Sequence, residues 1–275
     1  MVELEENLKA SQKQGLGVLA VSYDSVAVLR NFAERKGIHF PLLSDADSKI
    51  IGELGIRNET VPRNTPFYGI PHPGTFIVDR NRKVVSKYFE EDFKERYTSA
   101  DILVHQFEYT PAAARSVVQR KQLTVEASAS NSTVRSGERI ALVLDLQLKP
   151  KMHVYAPGVQ GYIPIAWKMK DSEAWKSHDA DFPPSEKLHL AAIDETVPVY
   201  QNRIRLTRDV TAGSDSALKA ALDGNGKLMV EGTLRYQACD DRMCFIPETL
   251  PLKWTFEVEQ HDRTRAPAGL QRRGP

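Results

Sequence analysis

Cysteine is scarce in this chain: only Cys239 and Cys244 occur in 275 residues. That excludes a disulfide-built scaffold, which a chain long enough to bury a sizeable core does not need. No apolar run approaches the roughly 20 residues of a membrane-spanning helix. An excess of one sign of charge is missing as well. The formal net charge is +1, so no basic face argues for a nucleic-acid partner. The opening MVELEENLKA has neither the basic start nor the apolar core of a signal peptide. Internal repeats are absent. A zinc site needs about four ligands. His153 and His189 are the candidates to join the cysteines, but both lie in strand-like runs without ligand spacing. Neither a metal nor a cofactor is expected.

What is present suits two domains of ordinary size. The first hundred or so residues alternate helical and strand patterns. Residues 2–14 place Val2, Leu4 and Leu8 at near-helical spacing, and Gly15 stops that run. GVLAVSYD (17–24) reads as a short buried strand. Ser25 caps a helix with Val28, Leu29 and Phe32 on one face, closed by Gly37. FPLLSD is a short strand, and DADSKIIGELGI a capped helix. A proline-rich loop covers 57–74. TFIVDRNRKVVSKYF then reads as strand, turn and strand, with a helix from about 93 to 107. This order predicts an α/β layer fold over 1–108.

The pattern changes after Pro111. PAAARSVVQRKQ reads as part of a linker, 109–121. From there to 259 the strands are short and separated by turn signals such as SGE, KPK, DGNG and PPS. They are LTVEAS, RIALVLDLQL, IPIAWKM, NRIRLTRDV, KLMVEGTLRYQA and LPLKWTFEV. Such spacing predicts an antiparallel, immunoglobulin-like β-sandwich. The tail, 260–275, has little to bury and is expected to be disordered.

The two cysteines stand in YQACDDRMCFIPETLPLKW, flanking the four residues DDRM. Strand-like sequence on both sides predicts a hairpin with the cysteines on neighbouring antiparallel strands. Opposed Cα atoms there lie about 4.5–5.5 Å apart, which a disulfide bridges. As a staple it would contribute only roughly 2 kcal/mol, because so few residues are enclosed. At a hairpin end the bond is open to another protein's thiolate, as exchange requires. Asp240 and Asp241 disfavour a thiolate and Arg242 favours one. Pro247 marks an edge or bulge. Tyr155, Tyr236 and Phe245 are candidates to shield the sulfurs, with ordinary core packing as the alternative.

Two resemblances sharpen these expectations. IPHPGTFIVD, with the strand–helix run before it, resembles the redoxin family of AhpC/TSA-type peroxiredoxins and thioredoxin-like reductases, over about residues 1–108. The resemblance implies a thioredoxin-like fold in which a proline, often cis, faces the active cysteine. Pro73 matches that proline better than Pro71. His72 beside it is either an active-site or an ordinary loop histidine. The family's catalytic cysteine begins its first long helix, whereas this chain opens inside the corresponding helix. The expectation is an incomplete domain whose central strand, cysteine and any export signal lie upstream, with a degenerate redoxin scaffold starting at Met1 as the alternative. Taken literally, the missing signal peptide would mean cytoplasm.

LVLDLQLKPKMHVYAPG, VPVYQNRIRLTRDV and GTLRYQACDDRMCFIPETLPLKW resemble, in order, the N-terminal immunoglobulin-like domain of thiol:disulfide interchange protein DsbD, over about residues 120–259. The gap between the cysteines is shorter than that family usually has. The resemblance implies a periplasmic or extracytoplasmic thiol–disulfide oxidoreductase module. It would exchange electrons with a thioredoxin-fold partner through a transient mixed disulfide at Cys239 and Cys244. It also implies that Cys244 is attacked and partner-linked and that Cys239 resolves. Asp194 and Glu195 would lie in a loop covering the cysteines. The alternatives are a non-catalytic two-domain binding module with a structural hairpin disulfide, and a fragment of a peroxiredoxin-like antioxidant protein with its active cysteine upstream.

Overall fold

The computed structural model describes every residue except 91–93, 108, 191–193 and 272–275. The chain divides into two compact units, Met1–Glu108 with His261–Pro275, and Tyr109–Gln260.

The first unit alternates helix and strand. Its elements are α1 (Val2–Glu6), α2 (Leu8–Lys13), β1 (Ala20–Ser22), α3 (Val26–Lys36), β2 (Leu42–Ser44), α4 (Lys49–Glu53), β3 (Gly74–Val78), β4 (Val84–Phe89), β5 (Arg96–Tyr97) and α5 (Ser99–Phe107). The termini of α3 follow from its caps. Ser25 Oγ accepts from Val28 N–H, and Gly37 takes a left-handed φ of 61° that a Cβ would strain. α4 is capped from a distance: the Asp45 carboxylate accepts from the N–H groups of Ile50 and Ile51. β1 pairs β2 in parallel and β3 pairs β4 antiparallel, as separate two-stranded sheets. The helix expected from about 93 begins at Ser99; residue 93 lies outside the described residues. The tail expected to be disordered is anchored in part. Asp262 sits 2.6 Å from Arg35 and 2.8 Å from Lys36, and hydrogen bonds from Lys36, Thr264 and Arg35 hold its carboxyl far below the usual range. The end of that tail, 272–275, lies outside the described residues.

The second unit is an immunoglobulin-like β-sandwich. Its elements are β6 (Ala113–Gln119), β7 (Leu123–Ala129), β8 (Thr133–Val134), β9 (Glu138–Leu148), β10 (His153–Tyr155), β11 (Ala166–Met169), β12 (Trp175–Asp181), β13 (Glu186–Leu190), β14 (Glu195–Gln201), β15 (Arg203–Ala212), α6 (Asp215–Ala220), β16 (Lys227–Tyr236), β17 (Ala238–Cys239) and β18 (Glu248–Val258). One sheet runs β12-β15-β9-β7-β6 and the facing sheet β11-β16-β18-β8. Alternation explains the core between them. Leu228, Val230, Gly232, Leu234 and Tyr236 of β16 and Leu250, Leu252, Trp254 and Phe256 of β18 are buried at every second position. They meet Leu123, Val125 and Ala127 of β7 and the apolar run of β9. Trp254 fixes the crossing by donating from Nε1 to Ser128 O at 2.9 Å. The segment read as a linker contains β6, paired with β7 from Ala113↔Ala129 to Gln119↔Thr124. A third, smaller sheet, β13-β14-β10-β17, carries one of the two cysteines.

Candidate functional site: a half-shielded disulfide

β16 and β18 pair in register from Lys227↔Glu257 to Tyr236↔Glu248. The ladder ends there because Pro247, the next residue outward, has no N–H to donate. Residues 237–247 fold on themselves instead. Phe245 N–H donates to Ala238 O, and the Gln237 side-chain amide donates to Phe245 O, both at 2.9 Å. Cys239 leaves the long hairpin and joins β17, which pairs with β10. Cys239 and Cys244 oppose one another across an isolated antiparallel bridge with Cα atoms 4.0 Å apart, and a disulfide joins them. The cysteines are thus set inside a side loop rather than on the two long strands, and their Cα atoms are closer than ladder spacing implies.

Asp240 closes the loop tip. Its carboxylate accepts from Arg242 N–H at 2.8 Å and Met243 N–H at 2.9 Å. Those bonds hold its pKa below the ordinary carboxylate value, with smaller help from the charges of Arg242 and His153.

The two sulfur-bearing residues have unequal access. Cys239 is 1% exposed and packs with Tyr155, Val197 and Val199. Cys244 is exposed, beside exposed Met243 and Ile246.

Tyr155 covers the bond from β10. It is itself buried, and its hydroxyl lies 3.6 Å from Cys244 Sγ. A disulfide sulfur carries no proton, so the phenol is the donor. Its ring stacks on Tyr162 at 4.3 Å. Tyr162 in turn donates to Glu195 Oε2 at 2.6 Å. Burial, then the Glu195 charge, raises the Tyr155 pKa. The hydrogen bond to Glu195, ahead of burial and charge, pushes Tyr162 up to about 12. His153 stands opposite Cys239 in the β10–β17 register, 2% exposed, with its ring edge-on to Tyr155 at 5.5 Å. Burial lowers its pKa, against the opposing pull of Asp241 and Asp240.

Of the proposed shielding residues, Tyr155 lies on the disulfide. Tyr236 lies on the inward face of β16 in the main sandwich core, and burial foremost pushes its phenol up to about 12. Phe245 is half-buried and ties the loop through its backbone. Pro73 belongs to the first unit, half-buried just before β3, and no peptide bond among the described residues is cis. His72 is there too, donating its N–H to Ile56 O. Glu195 opens β14 and engages Tyr162, whereas the Asp194 side chain is 96% exposed and lies near His189. The loop expected to carry these two includes 191–193, outside the described residues. Tyr162 as a neighbour of the bond was not legible beforehand, and His153 had entered only as a candidate zinc ligand beside the cysteines. Only the fold of β10 and β14 brings them there.

The half-shielded disulfide lies in a β-sandwich, and two segments of the chain match known families. Residues 120–253 match the family of thiol:disulfide interchange protein DsbD, N-terminal, and residues 1–87 match the AhpC/TSA family. The chain therefore joins an AhpC/TSA redoxin segment to a DsbD N-terminal segment. It is 32% identical over 91 residues to Peroxiredoxin Bcp of Escherichia coli (strain K12), covering 33% of this chain and 56% of that protein. It is 28% identical over 86 residues to Thiol-disulfide oxidoreductase ResA of Bacillus anthracis, covering 31% of this chain and 42% of that protein. The chain spans about half the length of the curated relatives it matches. Among solved structures it is similar to the N-terminal periplasmic domain of ScsB from Proteus mirabilis. The TM-score is 0.37 at 16% identity, covering 52% of this chain and 51% of that one.

Proposed function

We propose that the second unit is a thiol–disulfide exchange module that works through Cys239 and Cys244 with a thioredoxin-fold protein as partner. The observation that carries this is the unequal access of the two cysteines. A partner thiolate reaches exposed Cys244 and forms a mixed disulfide, and Cys239 departs as the leaving sulfur. Attack on Cys239 is opposed by its burial under Tyr155, Val197 and Val199. In the reverse sense Cys239 attacks Cys244 Sγ, closes the internal disulfide and releases the partner thiol. The family of residues 120–253 supports the choice of partner.

Trapping tests it. Cys239→Ser should accumulate a mixed disulfide through Cys244 with a thioredoxin-fold protein of CXXC type, seen by non-reducing electrophoresis and mass spectrometry. Cys244→Ser should not. Trapping through Cys239 would reverse the roles. No trapping by either variant, with a bond that resists thioredoxin-type donors, would leave a structural hairpin disulfide in a binding module.

A further inference from the structure

A buried imidazole with an unused nitrogen belongs to the residue opposed to buried Cys239 across the sheet. His153 is 2% exposed, and its Nε2 is buried without a hydrogen-bond partner among the described residues. An unsatisfied buried nitrogen costs stability, so a second duty is the natural account of it. Its position supplies one. His153 and Cys239 are directly opposed across β10 and β17, which puts both side chains on one face of that sheet. Tyr155, two residues along β10, shares the face and packs in the Cys239 cluster.

Cys239 has a problem that such a group solves. To close the internal disulfide its thiol must lose a proton, yet at 1% exposure it lacks access to bulk water. Asp240 is a poor base, since its carboxylate is engaged by two backbone N–H groups. The other groups near His153 are the Asp241 carboxylate from the same loop, the Tyr155 ring, and neutral Gln201 opposite it on β14, while Arg242 acts on Asp240. Burial favours the neutral imidazole, which is the form that accepts a proton.

We propose that His153 is the general base of the resolving step. The proposal rests on the exchange function above. In the mixed disulfide, His153 takes the proton from Cys239 Sγ. The thiolate attacks Cys244 Sγ, the bond from Cys244 to the partner sulfur breaks, and the partner leaves as a thiolate. The imidazolium then returns its proton to that thiolate or to water reaching it. The protein's two thiols are oxidised to one disulfide, the partner disulfide is reduced to two thiols, and no further oxidant is needed. Running backward, the imidazolium protonates Cys239 as it departs.

The test uses the full chain, reduced, and a symmetrical aromatic disulfide that releases a coloured thiolate. A first equivalent marks modification of Cys244, and a second marks closure by Cys239. In the wild type, the second phase should slow as pH falls through an inflexion below about 6.5, the ordinary histidine value. His153→Gln should leave the first phase unchanged, slow the second by about tenfold or more at neutral pH, and abolish that inflexion. Free imidazole should restore part of the rate in His153→Ala. Thermal melting accompanies each variant, and His153→Phe replaces any that fails to fold. A wild-type second phase without the inflexion overturns the proposal, as does a slowed variant that keeps it. A missing first phase, or an adduct on Cys239, defeats the exchange function itself and is read separately.

Discussion

The phenol oxygen of Tyr155 lies 3.6 Å from Cys244 Sγ, so the exposed end of the disulfide is hydrogen-bonded from its buried side. When the bond is reduced, the same hydroxyl is placed to donate to a Cys244 thiolate. Such a bond favours the charged form.

Tyr155→Phe should therefore raise the pKa of the Cys244 thiol by about one unit, the scale of a hydrogen bond to a charged group. Alkylation of the reduced protein at neutral pH should slow in step. The pH dependence of alkylation at Cys244, followed by mass spectrometry, checks this. An unchanged profile would show that the phenol does not serve the thiolate.

Glu195→Gln should bring Tyr162 down from about 12 toward its ordinary value near 10. The raised folded value means that the unfolded chain loses this proton first. The Tyr162–Glu195 contact thus contributes stability that is present below about 10 and is lost as pH rises through about 12. Wild-type stability should fall more steeply than that of Glu195→Gln over this window. Phenolate absorbance and alkaline melting curves report the two effects.

Gly232 of β16 has a separate structural role. A Cβ there would lie 2.7 Å from Lys168 O and 2.9 Å from Met169 Sδ on β11. The thioether can turn aside, but the carbonyl is backbone of a strand paired with β16. Gly232→Ala should cost about 1–3 kcal/mol by overpacking. The reduction potential of the cysteine pair should be unchanged. Thermal melting and a redox titration separate the two.

Strands with inward alternation were legible in the sequence. RIALVLDLQL, KLMVEGTLRYQA and LPLKWTFEV became β9, β16 and β18, and Ser25 and Gly37 bound α3 as their residue types imply. The strands missed are those that tertiary pairing alone creates. β6 is largely exposed, so PAAARSVVQRKQ carries no period that marks an edge strand. β12 buries little, whereas the strand-like runs around His153 and His189 became β10 and β13. The candidate site suffered from the same gap. The cysteines were evident from their spacing, and Tyr155 from family likeness. Tyr162 stands seven residues beyond Tyr155, and Glu195 forty, so their stacking and hydrogen bond depend on how β10 and β14 lie together.

The concealment of Cys239 bears on traffic as well as chemistry. In the exchange proposed above, an electron donor and an electron acceptor must both use Cys244, because its neighbour offers no second entrance. Two partners cannot be engaged at once. They take turns and compete, and the kinetic pattern is ping-pong, with each acting as an inhibitor of the other when in excess.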